Sequence, residues 1–138
     1  MPVRWLAIAS GAAALHDRAM SRLKIKVQLF CAEEIAMGPG KADLLDAIGR
    51  EGSISAAARA MGMSYRRAWL LVDAMNRCWA RPLVHTQPGG GAQVSEEGRD
   101  VLDFYRALQR QAEGAGEGPE LARMECMLRK EPLAPKWG

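Results

Sequence analysis

The chain has few of the residues that carry chemistry. Cysteine occurs three times and histidine twice in 138 residues. Cys31, Cys78 and Cys126 are widely spaced and follow no metal-ligand pattern. An odd, sparse set of this kind points to reduced thiols in a reducing compartment, and so to a cytoplasmic protein. His16 and His85 stand in no Cys/His or carboxylate cluster, so no zinc site is expected. No Ser/His/Asp, Cys/His or paired-carboxylate set shows convergent spacing, and neither an enzyme nor a cofactor is expected. No apolar run reaches the ~18 residues of a membrane span. Excess charge is also scarce: 19 Lys and Arg face 16 Asp and Glu, a net +3. That excludes a histone-like polycation.

What is present suits a folded domain. Hydrophobic residues make up 49% of the chain and charged ones 25%, enough for a core and a soluble surface. The length fits one compact domain with short appendages. Positive charge is local. Arg59, Arg66, Arg67, Arg77 and Arg81 fall in one stretch opposed by Asp73 alone, the footprint that nucleic acid requires. A solvated basic helix face is the plainer alternative. At the N-terminus, Arg4 followed by the apolar stretch 5–15 has the outline of a signal peptide, but only one basic residue precedes a short, Ala-rich run. Residues 1–19 are read instead as an extension upstream of Met20, loosely packed or helical. Residues 20–113 then form the main domain, and residues 114–138 a linker with a short helix.

Along the chain, residues 23–30 alternate apolar and polar, the period of a half-buried strand. Residues 37–40 (Met-Gly-Pro-Gly) break it. Leu44, Leu45 and Ile48 then mark a first helix over residues 41–50. Ser53 caps a short, small-sided second helix over residues 56–61, which Gly62 ends. Ser64 caps a third helix from Tyr65 to about Trp79, with a core stripe of Ala68, Val72, Met75 and Trp79. Two short helices joined by Gly62-Met63-Ser64 form a helix-turn-helix. Residues 82–86 and 92–94 read as a hairpin around a Pro-Gly-Gly-Gly tip, placed where a wing would follow a recognition helix. Ser95 caps a fourth helix whose acidic Glu96 and Glu97 suit its positive end. Val101, Leu102, Tyr105, Leu108 and Ala112 line one side of it, either as a dimer surface or packed on the N-terminal strand and first helix. Leu121, Met124 and Leu128 suggest a last helix over residues 120–130. The expected fold is mainly α with a small β-sheet, a winged helix-turn-helix.

In this reading the third helix enters a DNA major groove by its N-terminal end. Arg66 and Arg67 are the principal candidates, because an arginine fork matches guanine O6 and N7. Ser64 and Tyr65 offer hydroxyls to phosphate or base edges. Trp69 has two readings, contact with thymine methyl or sugar and packing beneath the wing, and its size favours the core. Gln87, Gly89, Gly90 and Gly91 would meet the DNA backbone or minor groove, with His85 a weaker candidate, and Arg59 would anchor a phosphate.

The run Gly52-Ser53-Ile54-Ser55-Ala56-Ala57-Ala58-Arg59-Ala60-Met61-Gly62-Met63-Ser64-Tyr65-Arg66-Arg67-Ala68-Trp69, then Met75-Asn76, resembles the N-terminal DNA-binding domain of the molybdate-responsive regulators of the ModE family. The Gly-rich wing followed by Val94-Ser95-Glu96-Glu97-Gly98 fits the same pattern. More distantly the stretch resembles the helix-turn-helix of LysR-type regulators. The resemblance covers residues 23–112. It implies a winged helix, dimerisation through helices outside the reading head, and binding to inverted repeats in double-stranded DNA. Members that sense molybdate carry further small β-barrel domains for the oxyanion. Nothing after Gly114 has that pattern, so molybdate sensing by these residues is not expected and the effector stays unassigned. Two other readings stand beside DNA regulation: a winged-helix module that docks acidic protein surfaces, and a small-ligand sensor with a pocket between the N-terminal strand and the last helices.

Overall fold

A computed structural model describes residues 22–137. The expected N-terminal extension lies outside the described residues. The described residues fall into two compact units, Lys26–Ala112 and a smaller one that includes residues 113–137. The larger unit opens with a hairpin, β1 (Leu29–Cys31) and β2 (Glu34–Met37), antiparallel with Cys31 opposite Glu34 and Phe30 opposite Ile35. Helices α1 (Pro39–Glu51), α2 (Ile54–Met61) and α3 (Tyr65–Cys78) follow. A second hairpin, β3 (Val84–Thr86) and β4 (Ala92–Val94), leads into the long helix α4 (Glu96–Glu113). In the smaller unit a 3₁₀ turn, Gly114–Glu117, precedes α5 (Pro119–Met127). Mainly helical structure with two small antiparallel sheets is the fold expected from the sequence.

Local sequence explains the boundaries. Pro39 begins α1, where its missing N–H costs nothing. The Ser53 hydroxyl accepts from the Ala56 amide at 3.0 Å and starts α2. At the other end Gly62 takes φ 68°. Its amide and that of Met63 return to the carbonyls of Arg59 and Ala58, closing α2 with the bonds of a Schellman cap. Ser64 repeats the N-cap for α3, accepting from the Arg67 amide at 3.0 Å. Small residues then set the packing. Ala57, Ala58 and Ala68 are at most 2% exposed, so the helices approach closely around Leu44, Leu45, Ile48 and Met75.

Two features hold the wing to the helices. Asn76 on α3 accepts from the amides of Leu83 and Val84 at 2.9 and 3.1 Å and donates to the Val84 carbonyl at 3.1 Å. Ser95 accepts from the Gly98 amide at 3.0 Å, capping α4, and donates to the Pro82 carbonyl at 2.7 Å. Gly98 sits hard against the strand. A methyl group there would collide with the Leu83 carbonyl oxygen and lie 2.8 Å from Val94 Cγ1. The close approach of α4 to the wing thus requires glycine at this position.

The structure corrects several expectations. The strand read over residues 23–30 is ladder-paired only at Leu29–Cys31, and the break read at residue 37 is instead the end of a second strand. The turn between them contains no glycine. Ala32 takes the left-handed conformation itself, at φ 52°, so the usual turn signal is missing. A bulge leaves Ala36 as the extra residue on β2. Trp79 donates its indole N–H to the Ala36 carbonyl at 3.1 Å. It is the half-buried C-cap of α3 and packs against the core at the end of the stripe, as expected. The last helix ends at Met127, short of the expected residue 130, because Leu128 leaves helical geometry.

Candidate nucleic-acid interface

The N-terminal turn of α3 stands out from the core. Ser64, Tyr65, Arg66 and Arg67 are all exposed, while Ala68 behind them is fully buried. Together Ser64, Arg66, Arg67, Leu70 and Leu71 line a shallow hollow of about 320 Å³. Among the described residues, neither Arg66 nor Arg67 forms an ion pair, so both guanidinium groups are available to an external anion. Ser64 uses an oxygen lone pair for the cap, and its proton remains available as a donor. Arg59 is exposed on α2 and donates to the Ser55 hydroxyl at 3.0 Å.

Trp69 is 45% exposed, which corrects the expectation that it lies in the core. Ala68 takes the inward position and Trp69, the next residue, is turned outward by 100° around the helix. With Tyr65 at 56% and Leu70 at 50% exposure, it gives the arginine surface an apolar component that the charge pattern did not reveal. Lys41, half-buried at the start of α1, lies near enough to feel the Arg67 charge. Burial first, and Arg67 to a lesser degree, hold its ammonium below the usual lysine range.

Arg77 does not belong to this surface. Its guanidinium donates to both Glu34 oxygens at 2.8 and 2.9 Å and to Asp73 at 2.9 Å. This ties α3 to β2 and cancels charge that the sequence had placed in the basic stretch. The Arg77 hydrogen bonds hold the Glu34 carboxyl below the usual carboxylate range.

The wing tip is a tight turn. Gln87 donates its amide to the Gly91 carbonyl at 2.8 Å and accepts from the Gly90 amide at 3.1 Å. Gly89 and Gly90 take φ 91° and 98° and are exposed, a geometry that any side chain would strain. Gly91 is half-buried, with the Gln87 side chain folded against it. Its amide neighbour Ala92 donates to the Gly52 carbonyl at 2.9 Å, fixing the wing to the end of α1. His85 is exposed on β3. The tip thus offers chiefly Gly89 and Gly90 backbone to a ligand.

The apolar side of α4 divides in two. Tyr105 is buried and donates its hydroxyl to the Val27 carbonyl at 2.7 Å. Val101 and Leu102 pack on the core, as in the intramolecular alternative. Phe104, at 73%, and Leu108, at 44%, remain exposed. Leu29, Met37, Trp79, Val101 and Tyr105 join them around a groove of about 140 Å³. Its two polar groups, the Tyr105 hydroxyl and Trp79 indole, are already bonded to backbone. Among the described residues that line the groove, neither side-chain donor is left free for an oxyanion.

A winged helix-turn-helix with an exposed, arginine-bearing second helix is the arrangement of bacterial regulatory DNA-binding domains, and comparison with known proteins agrees. Residues 41–99 match the family model described as bacterial regulatory helix-turn-helix protein, lysR family. The fold is shared with the crystal structure of the CbnR_DBD-DNA complex, with a TM-score of 0.50 and 18% identity over 61% of this chain and 95% of that one. Among curated proteins the chain is similar to Mop and ModE proteins. The chain is 42% identical over 100 residues to the molybdenum-pterin-binding protein MopB of Rhodobacter capsulatus, covering 70% of this chain and 35% of that protein. It is 39% identical over 84 residues to the molybdenum transport protein ModE of Azotobacter vinelandii, covering 58% and 31%. It is 32% identical over 90 residues to the DNA-binding transcriptional dual regulator ModE of Escherichia coli K12, covering 62% and 32%. The chain thus spans about a third of the length of these relatives.

Proposed function

We propose that this chain is the DNA-reading part of a cytoplasmic transcriptional regulator, acting as a homodimer on an inverted repeat in double-stranded DNA near genes concerned with molybdenum or related oxyanions. The observation that carries the reading is the first turn of α3, where Arg66 and Arg67 stand exposed with no ionic partner among the described residues. In this role α3 enters the major groove, with Arg66 and Arg67 dividing base-edge and phosphate contacts. Ser64 and Tyr65 donate hydroxyl protons to phosphate. Trp69 lies against sugar or a thymine methyl. Arg59 and the amide of Gly89 grip the flanking backbone, with Gln87, Gly90 and Gly91 shaping the tip. The names of the relatives support the molybdenum connection. A second copy is the proposed occupant of the Phe104 and Leu108 face, since large apolar side chains clustered at the surface favour burial in an interface.

Selection from a random duplex pool tests both parts. The expected product is a pair of inverted half-sites about one helical turn, roughly 10 base pairs, apart or a multiple of it. A light-scattering mass of twice the 15.1 kDa chain is expected alongside it. An unenriched pool would overturn sequence-specific reading, and a monomer mass on the operator would overturn the dimer.

A further inference from the structure

The outward face of α3 carries a leucine where a solvated helix would carry a polar residue. Leu70 is 50% exposed. Its neighbour Leu71 is half-buried and packs on the core. Residues four apart on a helix stand one above the other, so Arg66 and Leu70 form one row on α3 and Arg67 and Leu71 the next. Both rows line the hollow of about 320 Å³, together with Ser64. Each row thus sets a guanidinium one helical turn from an apolar side chain. Among the described residues, no carboxylate lines the hollow. The first acidic residue along α3, Asp73, is bonded to Arg77. The phosphate and guanine contacts of the arginines make no use of the leucines.

We propose that Leu70, with Leu71 as its floor, is a binding site for the C5 methyl group of a thymine that lies beside the guanine taken by Arg66 or Arg67. The inference rests on the DNA-binding reading and names what that reading leaves open, the side chain that takes the methyl. In the major groove guanine offers two acceptors to an arginine fork, and thymine offers an apolar methyl group. The hollow presents the matching pair, a guanidinium and a leucine, in each row. One helical turn advances about 5.4 Å, and bases along one strand lie about 3.4 Å apart. With α3 along the groove, an arginine on guanine therefore places the leucine of its row roughly one or two base pairs away. Trp69 belongs to a third row, with Tyr65, and does not line the hollow. The methyl is thus assigned to Leu70, and the sugar is left to Trp69.

The effect on binding follows from the chemistry. Removing one methyl-sized group from water against a leucine changes affinity about fourfold. A methyl carries no charge, so the contact adds sequence discrimination and leaves the salt dependence to the phosphate contacts.

The test takes the operator selected from a random duplex pool and remakes it with deoxyuridine in place of thymidine, one position at a time. Deoxyuridine keeps the O4 acceptor and the base pairing and lacks only the methyl. Affinities are measured by fluorescence anisotropy for the full parent chain, Leu70→Ala and Trp69→Ala. The expected result is a thymine within about two base pairs of a fixed guanine whose replacement weakens the parent about fourfold with no change in salt slope. Leu70→Ala should bind the thymine and uracil forms alike, and Trp69→Ala should keep the preference. Leu70 is a surface residue, so Leu70→Ala should melt close to the parent. Equal binding of the thymine and uracil forms at every position would overturn the methyl site and leave the DNA-binding reading standing. A preference that survives Leu70→Ala, or that vanishes with Trp69→Ala, would do the same. A pool without enrichment would overturn both.

Discussion

Replacing Asn76 with alanine removes one amide that holds three backbone groups at the start of the wing: the amides of Leu83 and Val84 and the carbonyl of Val84. Leu83 is 0% exposed and Val84 2%, so water has poor access to these groups once the amide is gone. A buried backbone group left without a partner costs about 1–3 kcal/mol. Three such groups, relieved in part by local relaxation, give an expected loss of about 3–5 kcal/mol. For a unit of this size each kcal/mol corresponds to roughly 4–8 °C in Tm, so Asn76→Ala should melt at least about 12 °C below the parent. Urea unfolding followed by circular dichroism measures the same quantity. DNA affinity should fall as well, because the wing loses its register against α3. A stability loss under about 1 kcal/mol would show that water replaces the amide and would refute the clamp.

Gly98→Ala should destabilise by about 1–3 kcal/mol through overpacking against Leu83 and Val94, outweighing the ~1 kcal/mol that alanine gains over glycine in a helix; a stabilised variant on thermal melting would contradict the contact. Arg106→Ala breaks pairs with Asp43 and Asp46 that bind α4 to α1. Because the Arg106 side chain is only 29% exposed, urea denaturation should register about 1–2 kcal/mol, above the ~0–1 of a surface pair. The Glu34–Arg77 pair makes stability depend on acid. Glu34 has a depressed folded pKa, so its contribution is complete above the ordinary value of 4.5 and is lost as pH falls through the folded value. Glu34→Gln should flatten the acid limb of a Tm-against-pH curve, and an unchanged limb would refute this.

The helix-turn-helix was legible because its signals are local. Ser53, Gly62, Ser64 and Ser95 each act within three or four residues of themselves, and each makes the cap its type favours. Contacts between distant residues were not legible. The first hairpin turns at Ala32 without a glycine, and Glu34 gives no sign in sequence that it will neutralise Arg77. Asn76 was visible as part of a family pattern, but its amide acts on residues seven and eight positions later, beyond helical periodicity. Trp69 was misread because size favours burial on average, whereas the face it occupies on α3 is set by the fully buried Ala68 beside it.

The central claim is that the first turn of α3 neutralises and reads DNA. The direct measurement is fluorescence anisotropy of a labelled duplex across a salt series, for the parent chain and for Arg66→Ala/Arg67→Ala. The account predicts that log K of the parent falls linearly with log salt, by about 0.9 per phosphate neutralised. It predicts that the double variant binds at least about tenfold more weakly, with a slope shallower by about 1 for each arginine that contacts phosphate. A parent chain that fails to bind at low salt, or a double variant with unchanged affinity and slope, would contradict it.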